Sequence, residues 1–319
     1  MTCSVLKRIV LTLLTGGGLQ FALGAGLTAP ETAPLPKKAE STWAFSLLPR
    51  AFQTHPLLAM SIITEMTDEG RKLAPPTRET PAYYYVHSAG FHAEGPGAAE
   101  LGKVPEDQLQ SHVQAALAAG GYLPGSKEHA PSLFLVFIWG VHAKLDQFDV
   151  ETGEGGFPDV HHHNLLSRAT LVGGAAFAKE LAKVLQEQDT TGAQAATVFD
   201  PVYRFTLRDD LTRNLMEQIL DDCYYVVISA YDATSAARGE RKLLWRTKMS
   251  TPAQGVSLVE TTPALIDRGA DFFGRDMKQA SIVAKRISRE HGGQVELGPL
   301  EFKGYGDKLE EKETPPAKK

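Results

Sequence analysis

The chain has 319 residues, 43% of them hydrophobic and 22% charged, with a formal net charge of −5 at pH 7. That balance belongs to a globular protein long enough for one large or two modest domains. The acidity is mild and spread along the chain, which leaves no electrostatic footprint for nucleic acid and no basic face for anionic lipid.

Residues 1–25 read as a bacterial export signal. Lys7 and Arg8 precede two apolar stretches, Ile9 to Leu14 and Leu19 to Leu23, and Gly24, Ala25 and Gly26 offer a cleavage site. The expected location is the periplasm or the exterior. Cys3 lies ahead of the apolar stretch, so it cannot become a lipidated N-terminal cysteine. An uncleaved leader would instead anchor the chain, although Gly16 to Gly18 interrupt the apolar run and make a poor spanning helix. Cleavage removes two cations, taking the net charge from −5 to −7, and leaves Cys223 as the sole cysteine, so no internal disulfide can form. Residues 26–42, rich in Pro, Ala, Thr and Lys, read as a flexible linker, and residues 306–319 as a disordered tail. Residues 43–305 are then one α+β domain, or two subdomains of it.

Ser61 to Met66 is a short expected strand, and Tyr83 to Val86 a stronger one. Pro105, Glu106 and Asp107 open a helix whose Leu109, Val113, Ala116 and Leu117 share one face, and Gly120 and Gly121 stop it. Ser132 to Trp139 is nearly all apolar, as in an inner strand covered on both faces. From Leu133 to Val141 this is also the longest strongly apolar run after the leader, far too short to cross a bilayer of ~30 Å. Asn164 is the expected N-cap of a helix to Gln188, and Gly173 and Gly174 in its middle imply a bend or a close approach to a sheet. Arg208 to Asp221 gives another helix. Tyr224 to Tyr231 and Lys242 to Met249 pair as an antiparallel hairpin, their connection being too short for a crossover. Thr262 and Pro263 open a helix, Met277 to Ile287 extends the helical pattern, and Val295 to Phe302 adds a last strand. The order does not alternate strictly, which predicts an α+β fold with a mixed, largely antiparallel sheet and helices packed on it.

Five segments carry a resemblance to a group of bacterial exported proteins of unknown function: Ser61 to Thr67; Tyr84-Tyr85 with Ala89 to His92; Asn164 to Leu166 with Leu171 to Gly174; Asp221 to Val227; and Glu240 to Arg246. More loosely, Ala116 to Tyr122 followed by Leu133 to Ile138, and Asp232 to Arg246, are similar to small envelope-lipoprotein α+β domains. This chain lacks their lipidated cysteine. The resemblance implies an envelope module and brings no catalytic residues.

His161, His162 and His163 form the one conspicuous cluster. Neutral imidazoles suit zinc, copper or nickel, but from an extended segment adjacent histidines aim at most two ligands at one ion, so Asp159, His142, His87, His92 or Glu94 would have to complete the shell. No recognised ligand spacing is present, so a solvated loop leading into the helix at Asn164, or packing and hydrogen bonding at that helix start, is the preferred explanation of the cluster. Cys223 opens an apolar strand, where an inert buried thiol is expected. Asp209-Asp210 favour a helix N-terminus, and Asp221-Asp222 fall in a connection. Tyr83 to Tyr85, Tyr224-Tyr225 and Trp245 suit core packing, with one ring from each tyrosine run free to cover an outer face. No nucleophile elbow or phosphate loop occurs. The function expected is a non-enzymatic envelope module binding another envelope protein or a small ligand through a sheet face or edge. The alternative is a metal-binding protein or metal-dependent enzyme using His161 to His163.

Overall fold

The computed structural model describes residues 49–95, 104–144, 158–191 and 200–289, all within one compact unit. In chain order the elements are β1 (Leu57–Met66), α1 (Asp68–Arg71), β2 (Ala82–Glu94), α2 (Glu106–Ala119), β3 (Tyr122–Pro124), β4 (Leu133–His142), α3 (Pro158–Val172), α4 (Gly174–Thr191), α5 (Pro201–Thr206) and α6 (Asp210–Leu220). The rest are β5 (Cys223–Asp232), α7 (Ala233–Ala237), β6 (Leu243–Pro252), α8 (Leu258–Gly269) and β7 (Ser281–Arg286). The leader, the linker, the tail and the strand expected from Val295 to Phe302 lie outside the described residues.

Seven strands form one sheet in the order β3-β2-β4-β5-β6-β1-β7. β2 is parallel to β3 and to β4, because α2 supplies a crossover between them, and every other neighbouring pair is antiparallel. The fold is therefore α+β with a mixed, largely antiparallel sheet. The β5–β6 hairpin forms as its short connection predicts, and that connection folds as α7, capped by Asp232, which accepts from the Ser235 amide at 2.7 Å.

On one face, Leu135, Phe137 and Trp139 of β4 pack with Met60, Ile62, Val226 and Ile228 beneath α2 and α8. Phe137 and Trp139 stack at 5.6 Å. Burying side chains of this size stabilises by about 1.5–3 kcal/mol each. On the other face, α3, α4 and α6 close a second core over β1 through Ile63, Val172, Leu181 and Leu215. That cover meets the end of β4, where Ser167 of α3 contacts His142, and among the described residues stops short of the rest of β4 and of β2. Among the described residues, Phe134, Val136 and Ile138 are only half-buried, so β4 is an inner strand with one face partly open, and the expectation of cover on both faces is corrected.

Four helix expectations also change. α3 starts at Pro158, which puts Asn164 inside it and not at its cap. The helical pattern from Asn164 to Gln188 is two helices, broken where Gly174 takes φ +84° and any Cβ would lie 2.8 Å from Ile63 Cδ1. α8 begins before Pro263, at a capping box between Ser257 and Glu260. Most consequentially, part of the segment from Met277 to Ile287 is strand β7, because β1 needs a partner along Leu57 to Ile62.

Candidate functional site

A register shift in β2 sets up the site. Between Ser88 and Gly90 the pairing with β4 slips, so Phe91 turns to the main core while His92 and Glu94 join Tyr85 and His87 on the open face. Glu94 then pairs with His142 at the ends of the two strands. His142 is 3% exposed, with Nε2 3.1 Å from Glu94 Oε2 and 3.3 Å from Ser167 Oγ of α3. Burial holds the imidazole below its ordinary value; Glu94 pulls the other way and Arg168 adds to the depression. The folded protein takes up this proton less readily than the unfolded chain, so its stability falls as the pH drops below about 6.5. We expect urea midpoints to record this, with a slope of up to about 1.4 kcal/mol per pH unit that His142→Asn removes. Parallel pH profiles for the two proteins would refute it.

Further along the face, alternation on β6 aims Trp245, Thr247 and Met249 at the main core and Arg246 and Lys248 at the other side. Lys248, its side chain 8% exposed, donates to Glu65 Oε2 at 2.7 Å and to the Thr170 carbonyl at 2.9 Å. Glu65 also accepts from the Ala175 amide at 2.6 Å, tying the sheet to the start of α4. Burial opposes ionisation of Glu65, but the hydrogen bonds from Lys248 and Ala175 and the charges of Lys248 and Arg246 hold its carboxyl below the usual range. Burial, with the charge of Arg246 adding to it, pushes the Lys248 ammonium down against the pull of Glu65. Arg246 donates from Nε to Ser229 Oγ at 2.9 Å and is hydrogen-bonded to no carboxylate among the described residues, although Glu65 lies opposite it on β1. Between α3 and strands β4 to β6 these side chains border a cleft of about 340 Å³. It adjoins a hollow of about 550 Å³ at Val136 and Tyr231.

Arg168 of α3 is 1% exposed, and Nε and both Nη atoms have no hydrogen-bond partner among the described residues. Burial lowers its pKa, and the nearby Cys223, Asp222 and Asp221 pull it back up. Sequence reading passed over it, yet a charge on the apolar stripe of Leu165, Ala169 and Val172 was a visible signal. The same is true of Arg246 and Lys248, alternating with core residues on a strand.

The residues singled out from sequence are scattered. His162 is half-buried and His163 exposed in α3, where successive residues fan out by about 100° and cannot converge on one ion. This corrects the extended geometry assumed for the cluster; the side chains of His161 and Asp159 lie outside the described residues. Among the described residues, no three His, Cys, Asp or Glu side chains gather as a metal site. Cys223 is fully buried and its thiol is pushed up to about 12 by burial, which leaves it unreactive. Asp209 caps α6, accepting from the Thr212 amide at 2.7 Å, and Asp222 accepts from the Lys144 amide at 2.7 Å. Tyr84, Tyr224 and Trp245 are core, Tyr225 lines the cleft, and Tyr85 is 61% exposed.

No protein-family model and no curated protein matches the chain. Among solved structures, a PDZ domain protein from Parabacteroides distasonis is similar over 74% of this chain at 8% identity, with a TM-score of 0.33. The chain spans 40% of that protein's length. A PelC dodecamer from Paraburkholderia phytofirmans is similar over 66% of this chain and 96% of its own at 11% identity, with a TM-score of 0.26. Likenesses at these TM-scores carry no argument about this chain. Among the described residues, no helix is long and apolar enough to cross a membrane.

Proposed function

We propose that this is an exported bacterial envelope protein acting as a non-enzymatic binding or assembly module, with the open part of its sheet as the docking surface. The leader pattern, Lys7-Arg8 followed by apolar stretches and small residues, supports export. The observation that carries the binding reading is the end of the sheet that the described residues leave uncovered. Among the described residues, β2 from Tyr85 to Glu94 has a strand partner on one side only, and exposed Tyr85 stacks on Phe134 of β4 at 5.8 Å. An unpaired strand edge offers main-chain hydrogen bonds to a partner, and an aromatic pair beside it offers apolar contact. The metal reading gains nothing from the described residues and is not carried forward.

The test is a photo-crosslinking residue at position 85 in the native host, with fractionation of the cells. The expected result is mature protein in the exported fraction joined to an envelope protein, the adduct being lost with Phe134→Ala. Protein confined to the cytoplasm, or an adduct indifferent to Phe134, would overturn the proposal. Tyr85→Ala should shift unfolding free energy by less than about 0.5 kcal/mol, since its ring is outside the cores.

A further inference from the structure

We propose that the cleft between α3 and strands β4 to β6 binds a small amphiphilic anion, its carboxylate or phosphate group held by Arg246 and its apolar body lying against Val136, Ile138 and Val227. This goes beyond docking on the outer edge of β2, since it assigns a separate site and ligand class.

Charge is the first argument. The chain is acidic overall, yet Arg246 at the cleft is hydrogen-bonded to no carboxylate among the described residues, although Glu65 lies opposite it on β1. Lys248 is bonded to Glu65, and Arg168 likewise has no carboxylate bonded to it among the described residues, with Asp221 and Asp222 nearby. The two arginines lie toward opposite ends. Arg246 sits on β6 opposite Ser229, whereas Arg168 is near Cys223 and His142, where β5 begins and β4 ends.

Geometry assigns the two arginines different parts. Arg246 is half-buried at the cleft and anchored through Nε to Ser229 Oγ. That bond leaves its two terminal nitrogens, a planar fork suited to a carboxylate or phosphate, for a ligand. Lys248 cannot take that role, because its ammonium already serves Glu65 and Thr170. Arg168 is sealed from solvent. Its charge, partly offset by the nearby Asp221 and Asp222, lies behind the wall, and low-dielectric surroundings let what remains favour an anion in the cleft.

The rest of the wall defines the body of the ligand. Val136, Ile138 and Val227 face the cleft from neighbouring strands, and its size is at the lower end for small-molecule pockets, which selects a short chain over a bulky one. Inorganic anions would miss the apolar contact, and neutral amphiphiles would miss Arg246.

The experiment is isothermal titration of the full chain with octanoate and octyl phosphate, beside octanol, octylammonium, acetate and inorganic phosphate. Saturable binding is expected for octanoate or octyl phosphate; which of them is tighter identifies the head group. Arg246→Met should weaken binding about 10- to 100-fold, the loss expected for charge-assisted hydrogen bonds. Arg246→Lys should recover part of it and guards against a folding defect, while Arg168→Met should cause a smaller loss. Tyr85→Ala should leave this binding unchanged, so failure at the docking surface and failure here are read apart. Octanol binding as tightly as octanoate, Arg246→Met binding like the wild type, or no saturable heat with either anion would overturn the proposal.

Discussion

Replacing Glu65 with Leu is expected to cost the protein about 3–5 kcal/mol of stability, because it strands a buried cation. Lys248 would keep the Thr170 carbonyl but lose its only carboxylate among the described residues, and the Ala175 amide at the start of α4 would lose the Glu65 acceptor. The deficit should appear as a lower denaturant midpoint. In the double variant Glu65→Leu/Lys248→Met most of the loss should return, since exchanging a buried pair for apolar groups is often neutral or favourable. A single variant as stable as the wild type would show that the pair does not hold α4 to the sheet. The sign with pH follows from the depressed carboxyl. Glu65 contributes fully above the unfolded carboxylate value, near pH 4.3, and its contribution is lost as the pH falls through its lower folded value. The gap between wild type and Glu65→Leu should therefore narrow in acid.

Gly140→Ala is expected to separate the outer strands. Gly140 pairs with His92, and a Cβ there would fall on the His92 carbonyl oxygen. A main-chain atom in a ladder cannot rotate aside, so β2 must move away from β4. The cost is at least the ~1–3 kcal/mol of an overpacked site. Because β2 carries Glu94 and the open edge, the variant should also lose crosslinking at position 85 and gain amide exchange along Tyr85 to Glu94 while exchange in β5 and β6 stays slow. Uniform destabilisation with an intact edge would count against this account.

Much of the frame was legible because local pattern and tertiary need agreed. The stripe Leu109, Val113, Ala116 and Leu117 is buried in α2, and the alternating runs after Asp222 and Arg241 form β5 and β6. Where they disagreed, sequence reading failed. Ser281 to Arg286 lies in a segment with a helical pattern, yet β1 had an edge to fill. The histidine run drew attention for its composition, although α3 turns its members apart. Arg168, Arg246 and Lys248 stand singly among apolar residues, and nothing local says that Arg246 and Lys248 line one cleft with Arg168 buried nearby.

The sequence by itself determined the elements whose burial repeats along the chain and the α+β class, since hydrophobic periodicity and connection length are local quantities. Only the tertiary structure decided which strand lies beside which, that a register slip in β2 turns Glu94 toward His142, and that helix cover among the described residues ends short of β2 and most of β4. Those outcomes depend on residues far apart in the chain competing for the same neighbours. Cleft and open edge alike follow from that competition.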